Sequence, residues 1–569
     1  MSQSRCIVET VKFGQEEAHM LSLPEMILQR EDIALVAAGS LSCIRDLYDR
    51  ARQMGRLGQF FPCVITKEEY AAGLNGRKLG ECLNRVLKAE GVGGIIIYAS
   101  CMEVITQTDF DEIIRNLDNP EQIPVEVLYR GPMVKRYLKP AAMLEEILGR
   151  MPIGQGKLCS DYRELPPVYP DFNGISAMLQ HWDALPFLIT AGGCTGGLAR
   201  LEEDGRPYRL NNSRLTDIQV TLGCEELLEN GIAYAAGEMG TYTAGKAETD
   251  GAGSHMFVCL LGSAVPAFTG VDYTRISRNL KKGQVPNIHL ASDGFGASPA
   301  GASDALLALG KELLVPVEKE EGRINILGYS PAAVGRVEKI RHGMEHLERR
   351  GFHSRVWGDG GLPEVKKAAA AGLNWVVSGE GLALARWMER TFSIPYLAGI
   401  PMGVNAMLDW RKQVNLLMGR DDELLEPPGP VPAAAVQPRI LVTGEPLLAR
   451  SIARALKEDF GYGQVMIALY APVPSLRNYY RDVLGETGWI GFADTDEFLR
   501  LAKQADLVVG DPVYQDCLDM LGKERNVPGL IPIPDSLVSG EQYLDMEYEI
   551  FGRKGGEYMR RFLNETMDT

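Results

Sequence analysis

Ten cysteines occur in this chain of 569 residues, and five of them stand at matched places. Cys43 closes the run IALVAAGSLSC at 33–43, and Cys194 closes LPFLITAGGC at 185–194. Each run reads as a buried strand that stops at a flexible small-residue corner and presents one thiol at its tip. Cys6 precedes Cys43 by 37 residues, and Cys159 precedes Cys194 by 35. Cys101 follows a third apolar run, Gly94 to Ala99, directly after Ser100. A single cysteine on such a corner is most often a small core residue. Repetition of the placement favours thiolate ligation of a soft metal, and an iron–sulfur cluster above all. Cys6, Cys43, Cys101, Cys159 and Cys194 are therefore the candidate ligands; four would serve a [4Fe–4S] cluster and five something larger. Cys63, Cys82, Cys259 and Cys517 have no such placement and read as core, while Cys224, directly after Gly223, is a candidate spare ligand.

Other catalytic machinery is missing from the sequence. There is no G-x-x-x-x-G-K-[ST], so ATP hydrolysis by this chain itself is not expected. No G-x-G-x-x-G joins a strand to a helix, no C-x-x-C is present, and no G-x-S-x-G elbow is present. His342 and His346 are one helical turn apart beside Glu345 but have no evident third ligand, so a solvated helix face is expected there. The formal net charge of −16 argues against a nucleic-acid partner, which favours a basic face. No apolar run approaches the roughly 20 residues that span a membrane. Residues 1–13 carry no signal-peptide pattern, so a cytoplasmic, reducing compartment with free or metal-bound thiols is expected.

The elements that must position the thiols repeat. Gly73 follows Thr66 by seven positions, and Gly223 follows Thr216 by seven. The strand ending in Ser100 and Cys101 matches one at 256–261 followed by Gly262, Ser263 and Ala264. Asp109, Phe110, Ile113, Arg115, Asn116 and Leu117 then match Asp272, Tyr273, Ile276, Arg278, Asn279 and Leu280, and Pro124 matches Pro286. Four matches in one order predict an internal duplication. Alternating apolar strands and helical stretches predict an α/β protein of several Rossmann-like parallel-sheet domains, the first duplicated. The expected division is an extra first-domain copy at 1–150, a first domain at 151–315 and a second α/β domain at 316–425. A Pro/Ala-rich linker at 426–438 and a third α/β domain with a charged tail at 439–569 follow. Face-to-face packing of the two copies would bring thiols of both to one seam. Cys101 matches Ala264, so the second copy lacks the third thiol.

These residues resemble nitrogenase component 1 and its relatives, among them dark-operative protochlorophyllide reductase and nickel-sirohydrochlorin reductive cyclase. The family's first domain carries an early cysteine, a Gly-Cys corner, and a cysteine followed by an aspartate before a helix. Here these are Cys6, Cys43, and Cys101 with Asp109; the second copy offers Cys159, Cys194 and Asp272. Gly294, Phe295, Gly296 to Gly301 resembles the Gly-Phe signature closing that domain. Trp357, Gly358, Asp359, Gly360 resembles the second domain's Gly-Asp-Gly turn, and 505–510 resembles the third domain's Asp-Leu-x-x-Gly strand. Two departures stand out. Residues 151–569 would make one complete three-domain subunit, so both first domains that build the family's cluster site would lie in one chain. Ser378 occupies the place of the cysteine that holds the large cofactor of nitrogenases, and 439–569 contains no histidine.

The resemblance implies an iron–sulfur oxidoreductase that takes low-potential electrons from a separate ATP-hydrolysing iron protein and reduces a small molecule. Dinitrogen reduction by a molybdenum-type cofactor is not expected. The implied oligomer is a homo-oligomer or a pairing with another component 1-like subunit. A scaffold for cofactor assembly and a thiol-based redox sensor are the alternatives. Asp359, Ser378 and Glu380 are the candidate catalytic residues of a cavity between the domains, where strand ends place ligand sites.

Overall fold

In the computed structural model, residues 8–10, 22–131, 133–134, 138–154, 157–158, 163–191, 194, 198, 210–250, 257–420, 431–522 and 527–567 are described. Their strands are β1 (Val8–Thr10), β2 (Ile33–Gly39), β3 (Phe60–Val64), β4 (Gly94–Ala99), β5 (Val125–Tyr129), β6 (Ala184–Ile189), β7 (Asn211–Ser213), β8 (Phe257–Gly262) and β9 (Asn287–His289). The later part adds β10 (Arg323–Leu327), β11 (His353–Val356), β12 (Leu373–Val376), β13 (Tyr396–Ala398), β14 (Ile440–Val442), β15 (Val465–Tyr470), β16 (Ile490–Phe492), β17 (Leu507–Gly510) and β18 (Gly529–Pro532). They form four sheets, in the orders β3-β2-β4-β5, β1-β7-β6-β8-β9, β11-β10-β12-β13 and β16-β15-β14-β17-β18. Every pairing among these strands is parallel except β1 with β7. The central strands β2, β4, β6 and β8 are buried at every position. Helices on both faces of a parallel sheet call for such continuous apolar runs.

The first two sheets run in the same sense: a central strand, its neighbour on one side, then two strands on the other. Their helix starts also agree. Thr66 Oγ1 accepts from Glu69 N (3.2 Å) while Glu69 Oε2 accepts from Thr66 N (2.7 Å). Thr216 and Gln219 make the same reciprocal cap, at 3.4 and 2.9 Å. Asp109 and Asp272 each cap the next helix through a side-chain oxygen, at 2.9 and 2.8 Å. Proline in the first turn, where its missing N–H is no loss, opens the helices Ser298–Leu313, Pro446–Glu458 and Pro474–Leu484.

Three features differ from the sequence reading. β1, expected within the first unit, adds antiparallel to β7 in the second sheet, in register Val8 with Ser213. A short edge strand leaves N–H and C=O groups that another segment can pair with. Secondly, the described part of the Pro/Ala-rich linker, 431–438, is tied to the last unit: Val431 N donates to Glu458 O (3.0 Å) and Ala434 N to Gly461 O (3.2 Å). Finally, of the two histidines on the helix Glu338–Arg349, His342 stays partly exposed while His346 is half-buried. His346 lies 6.2 Å from the Trp410 ring, and burial with nearby Arg411, Arg350 and Arg349 pushes it down to about 4. His342 Nε2 instead meets Lys554 Nζ at 2.8 Å. The helices Val404–Leu417 and Gly552–Met567 cover that face.

An extended strap, 163–170, ties the first unit to the last. Leu165 N donates to Thr495 Oγ1 (2.9 Å), and Tyr470 OH donates to Pro166 O (3.2 Å). Leu165 and Val168 are buried in the largest apolar core, which runs through the second, third and fourth sheets. Burying each such side chain is worth about 1.5–3 kcal/mol.

Candidate functional site

Strand-end turns deliver three thiols to one place. β2 ends at Gly39, Ser40 caps the helix Leu41–Gln53, and Cys43 enters its first turn, where its N–H donates to Ser40 O (2.9 Å). Ser40 Oγ donates to Cys43 Sγ at 3.5 Å. β4 ends at Ala99, and the Oγ of Ser100 accepts from Met102 N (3.2 Å), so Cys101 becomes the first residue of the helix Cys101–Ile105. Cys194 follows the end of β6 by five residues. All three line one cleft of about 670 Å³, measured out to its open mouth, with Ala264 on its wall. Cys43 and Cys101 come from the first unit, and Cys194 and Ala264 from the second, so the cleft lies on the seam between them. Cys6 and Cys159 lie outside the described residues. Cys224 belongs to the core around Leu185 and Leu228 and does not line the cleft.

Burial pushes the Cys43 thiol up to about 12, and Cys194 beside it adds to the rise. Burial also holds Cys194 above its ordinary value, against the hydroxyls of Thr190, Ser263 and Ser42 and with Cys101 adding. Both are therefore protonated at neutral pH without a metal, and only a cationic centre would ionise them; loading such a site releases protons. Among the described residues, no three His, Cys, Asp or Glu side chains converge closely enough for a single metal ion. A polynuclear cluster spreads its thiolates wider, and a shared cleft ringed by hydroxyls suits that donor set.

Gly131 forms part of the cleft and adopts φ +120°, and a Cβ there would stand 2.0 Å from Cys101 Sγ. The sulfur fills the space a side chain would need. Gly131→Ala should therefore displace that sulfur, lowering iron per chain by more than half with the far-ultraviolet circular dichroism unchanged. Wild-type iron content in this variant would remove Cys101 from the ligand set.

Sequence reasoning missed the carboxyl beneath this turn. Glu103 is 1% exposed and accepts from Ser100 N (2.8 Å), Ser100 Oγ (2.6 Å) and the Tyr70 hydroxyl. Burial raises its pKa against those donors. The signal was present, since Ser100-x-x-Glu103 is a capping box. Across the seam, Lys67 Nζ pairs with Asp293 Oδ2 at 2.7 Å. Asp171 accepts from Asp293 N and Gly294 N, each at 2.9 Å, and fixes the loop that carries Asp293.

Two residues beyond Asp171, Asn173 lines a second cavity of about 420 Å³, again measured to its mouth. This space lies between the second, third and fourth sheets. Glu380, Glu445 and Asp535 face it, each from the turn after a strand of the third or fourth sheet. Glu380 Oε2 accepts from Ser330 Oγ (3.1 Å), and Glu445 accepts from Gly379 N (2.8 Å) and Leu448 N (2.7 Å). Asp535 Oδ1 accepts from Leu537 N (3.0 Å). Burial is the main cause of their raised pKa values: Glu380 well above the carboxylate range, Glu445 to about 7 and Asp535 to about 6.

A family model described as nitrogenase component 1 type oxidoreductase matches residues 174–513, more than half of the chain. The chain belongs to that family. A solved structure described as "Nitrogenase Cp1 at pH 6.5" shares 12% identity, with 70% of this chain and 92% of that one covered and a TM-score of 0.52. Another, "Nitrogenase Cp1 at pH 5", shares 13% over 71% and 88%, with a TM-score of 0.48. At these identities the likeness to the first shows the fold alone.

Within this component 1 fold the three predicted cavity residues separate. Glu380 lines the cavity. Ser378, 0% exposed, turns inward and donates to Gly328 O at 2.5 Å. Asp359 sits on the turn after β11, with its Oδ1 3.5 Å from His181 Nδ1, and is not in the cavity wall. Glu445 and Asp535 were missed; nothing near either in sequence distinguishes it from an ordinary helix cap.

Proposed function

We propose that this chain is a nitrogenase-like iron–sulfur oxidoreductase that accepts low-potential electrons from an ATP-hydrolysing iron protein and reduces a small molecule. The observation that carries this is the convergence of Cys43, Cys101 and Cys194, from two units, on one open cleft. These three would hold a [4Fe–4S] or larger cluster, with Cys6 and Cys159 as the remaining candidates. When bound, such a cluster supplies one-electron transfer at low potential. The hydroxyls of Ser40, Ser42, Thr190 and Ser263 surround the sulfurs and would tune that potential by hydrogen bonding.

The shared strand order and the matched caps support a duplicated first domain, at 1–150 and 151–315. One chain would then supply both halves of the cluster seam, and the iron protein would dock over its mouth. The short run from Asp171 to Asn173 links the seam to the cavity between the domains, the proposed place of the substrate. Among the described residues no Cys or His lines that cavity, which supports a substrate other than dinitrogen bound to a molybdenum-type cofactor.

Anaerobic purification should yield a brown protein with several irons and sulfides per chain. Its paramagnetic resonance signal should change when an iron protein and ATP are added. A colourless, iron-free protein with every thiol titratable overturns the reading. A loaded protein that passes its cargo on and accepts no electrons makes it a scaffold instead.

A further inference from the structure

We propose that Cys63 and Cys82 form a thiol–disulfide couple apart from the cluster cleft: Cys82 attacks a low-molecular-weight disulfide, and Cys63 then closes an internal disulfide with it. The proposal stands whether or not the seam carries a cluster. β3 brings Cys63, and the helix Asn75–Val86 brings Cys82, to one pocket of about 470 Å³. The Cys63 thiol donates a hydrogen bond to the Cys82 sulfur, so the two atoms that would bond are already neighbours. Neither residue lines the cleft of Cys43, Cys101 and Cys194.

The pocket is what makes these thiols reachable. Both cysteines belong to a core of the first unit, yet both line the pocket together with the exposed residues Glu81, Arg85 and Lys88. The two thiols are not equivalent. Arg85 follows Cys82 by three positions on the same helix, so the two share a face, and its guanidinium hydrogen-bonds the Cys82 sulfur. Arg85 Nη1 also stands 3.9 Å from Glu164 Oε1, which offsets part of its charge. The bond from Cys63, and then the Arg85 charge, hold Cys82 below the ordinary thiol value against its burial. Burial pushes Cys43, Cys224, Cys259 and Cys517 up instead. The thiolate is the attacking form, so Cys82 is the nucleophile and Cys63 keeps the proton.

The exchange proceeds in two steps. The Cys82 thiolate attacks one sulfur of the small disulfide, the S–S bond of that molecule breaks, and one thiolate leaves. Cys63 gives its proton to that leaving thiolate and attacks the Cys82 sulfur of the mixed disulfide. The second small thiolate departs, and the Cys63–Cys82 bond is complete. Two electrons pass from the two cysteine sulfurs to the small disulfide, which ends as one thiol and one thiolate. A reduced small thiol drives the same steps backwards, so the couple follows the ratio of disulfide to thiol around it.

The test is anaerobic incubation of the full, reduced protein with glutathione disulfide, followed by acid trapping and peptide mapping by mass spectrometry. Cys63 and Cys82 should appear as one linked pair, formed at least about ten-fold faster than any adduct on Cys259 or Cys517. Dithiothreitol should restore both thiols. Cys63→Ser should leave Cys82 as a lasting mixed disulfide with glutathione, and Cys82→Ser should leave Cys63 unmodified, both with wild-type iron. Arg85→Gln should slow the linkage several-fold. Dibromobimane, which bridges neighbouring thiols, should join the same two residues in the wild type, so the test does not depend on the variants folding. No Cys63–Cys82 linkage with either reagent overturns the proposal. So does a wild type that stops at a mixed disulfide on Cys82, or linkage that forms only after thermal unfolding.

Discussion

Replacing Cys43 or Cys194 with alanine removes most of the iron and acid-labile sulfide, whereas Cys259→Ala leaves both at wild-type levels. The two thiols sit on opposite sides of the seam yet line one cleft. A cluster held there loses a ligand from either side, and a missing thiolate leaves an iron open to water and the centre more easily lost. Cys259 is a fully buried core thiol of β8 and does not line the cleft. The measurement is iron and sulfide analysis with paramagnetic resonance on anaerobic protein. Wild-type iron in Cys43→Ala and Cys194→Ala would leave the seam without a metal. Loss confined to one of them would place the cluster within a single unit.

Arg45→Met lowers the melting temperature by at least about 6 °C and loosens the seam. Arg45 is 1% exposed. Its Nη1 donates to Pro167 O and Val538 O, each at 2.8 Å, while Nε and Nη2 pair with Asp49 at 3.0 and 2.9 Å. The guanidinium also lies 4.0 Å from the centre of the Tyr169 ring. One side chain thus joins the first unit, the strap and the last unit. Its hydrogen bonds to the two buried carbonyls, made by a charged donor, are worth about 1.5–3 kcal/mol each, about 3 kcal/mol or more together. Each kcal/mol moves the midpoint by about 2–4 °C in a unit of 150–250 residues. Arg45 lies two residues beyond Cys43 on one helix, so iron content should fall as well. A midpoint within 2 °C of wild type would show that the strap and the core carry this junction without it.

The parallel α/β architecture was legible because it is written locally. The runs at Ile33–Gly39, Gly94–Ala99 and Leu507–Gly510 are continuous apolar stretches of strand length between helical stretches, and they became β2, β4 and β17. Cys43, Cys101 and Cys194 were legible for a related reason: a strand end and the turn after it are neighbours in sequence, so residue type and place travel together. The exchange of β1 into the second sheet was not legible, because a three-residue edge strand has too little pattern to specify its partner.

The carboxylates behave in the opposite way. Glu380, Glu445 and Asp535 are separated by 65 and 90 residues. Each looks in sequence like a polar residue after a strand, and two of the three do cap helices. What sets them apart is desolvation at a shared wall, and that arises only when three units pack together. Arg45 likewise gains its importance from carbonyls 122 and 493 residues away. The order of residues alone therefore determined the sheets, the helix starts and the thiols at the strand ends, all products of contacts within a few residues. Tertiary packing alone decided which thiols share a cleft and which charges lose their water, since both depend on distances between segments far apart in the chain.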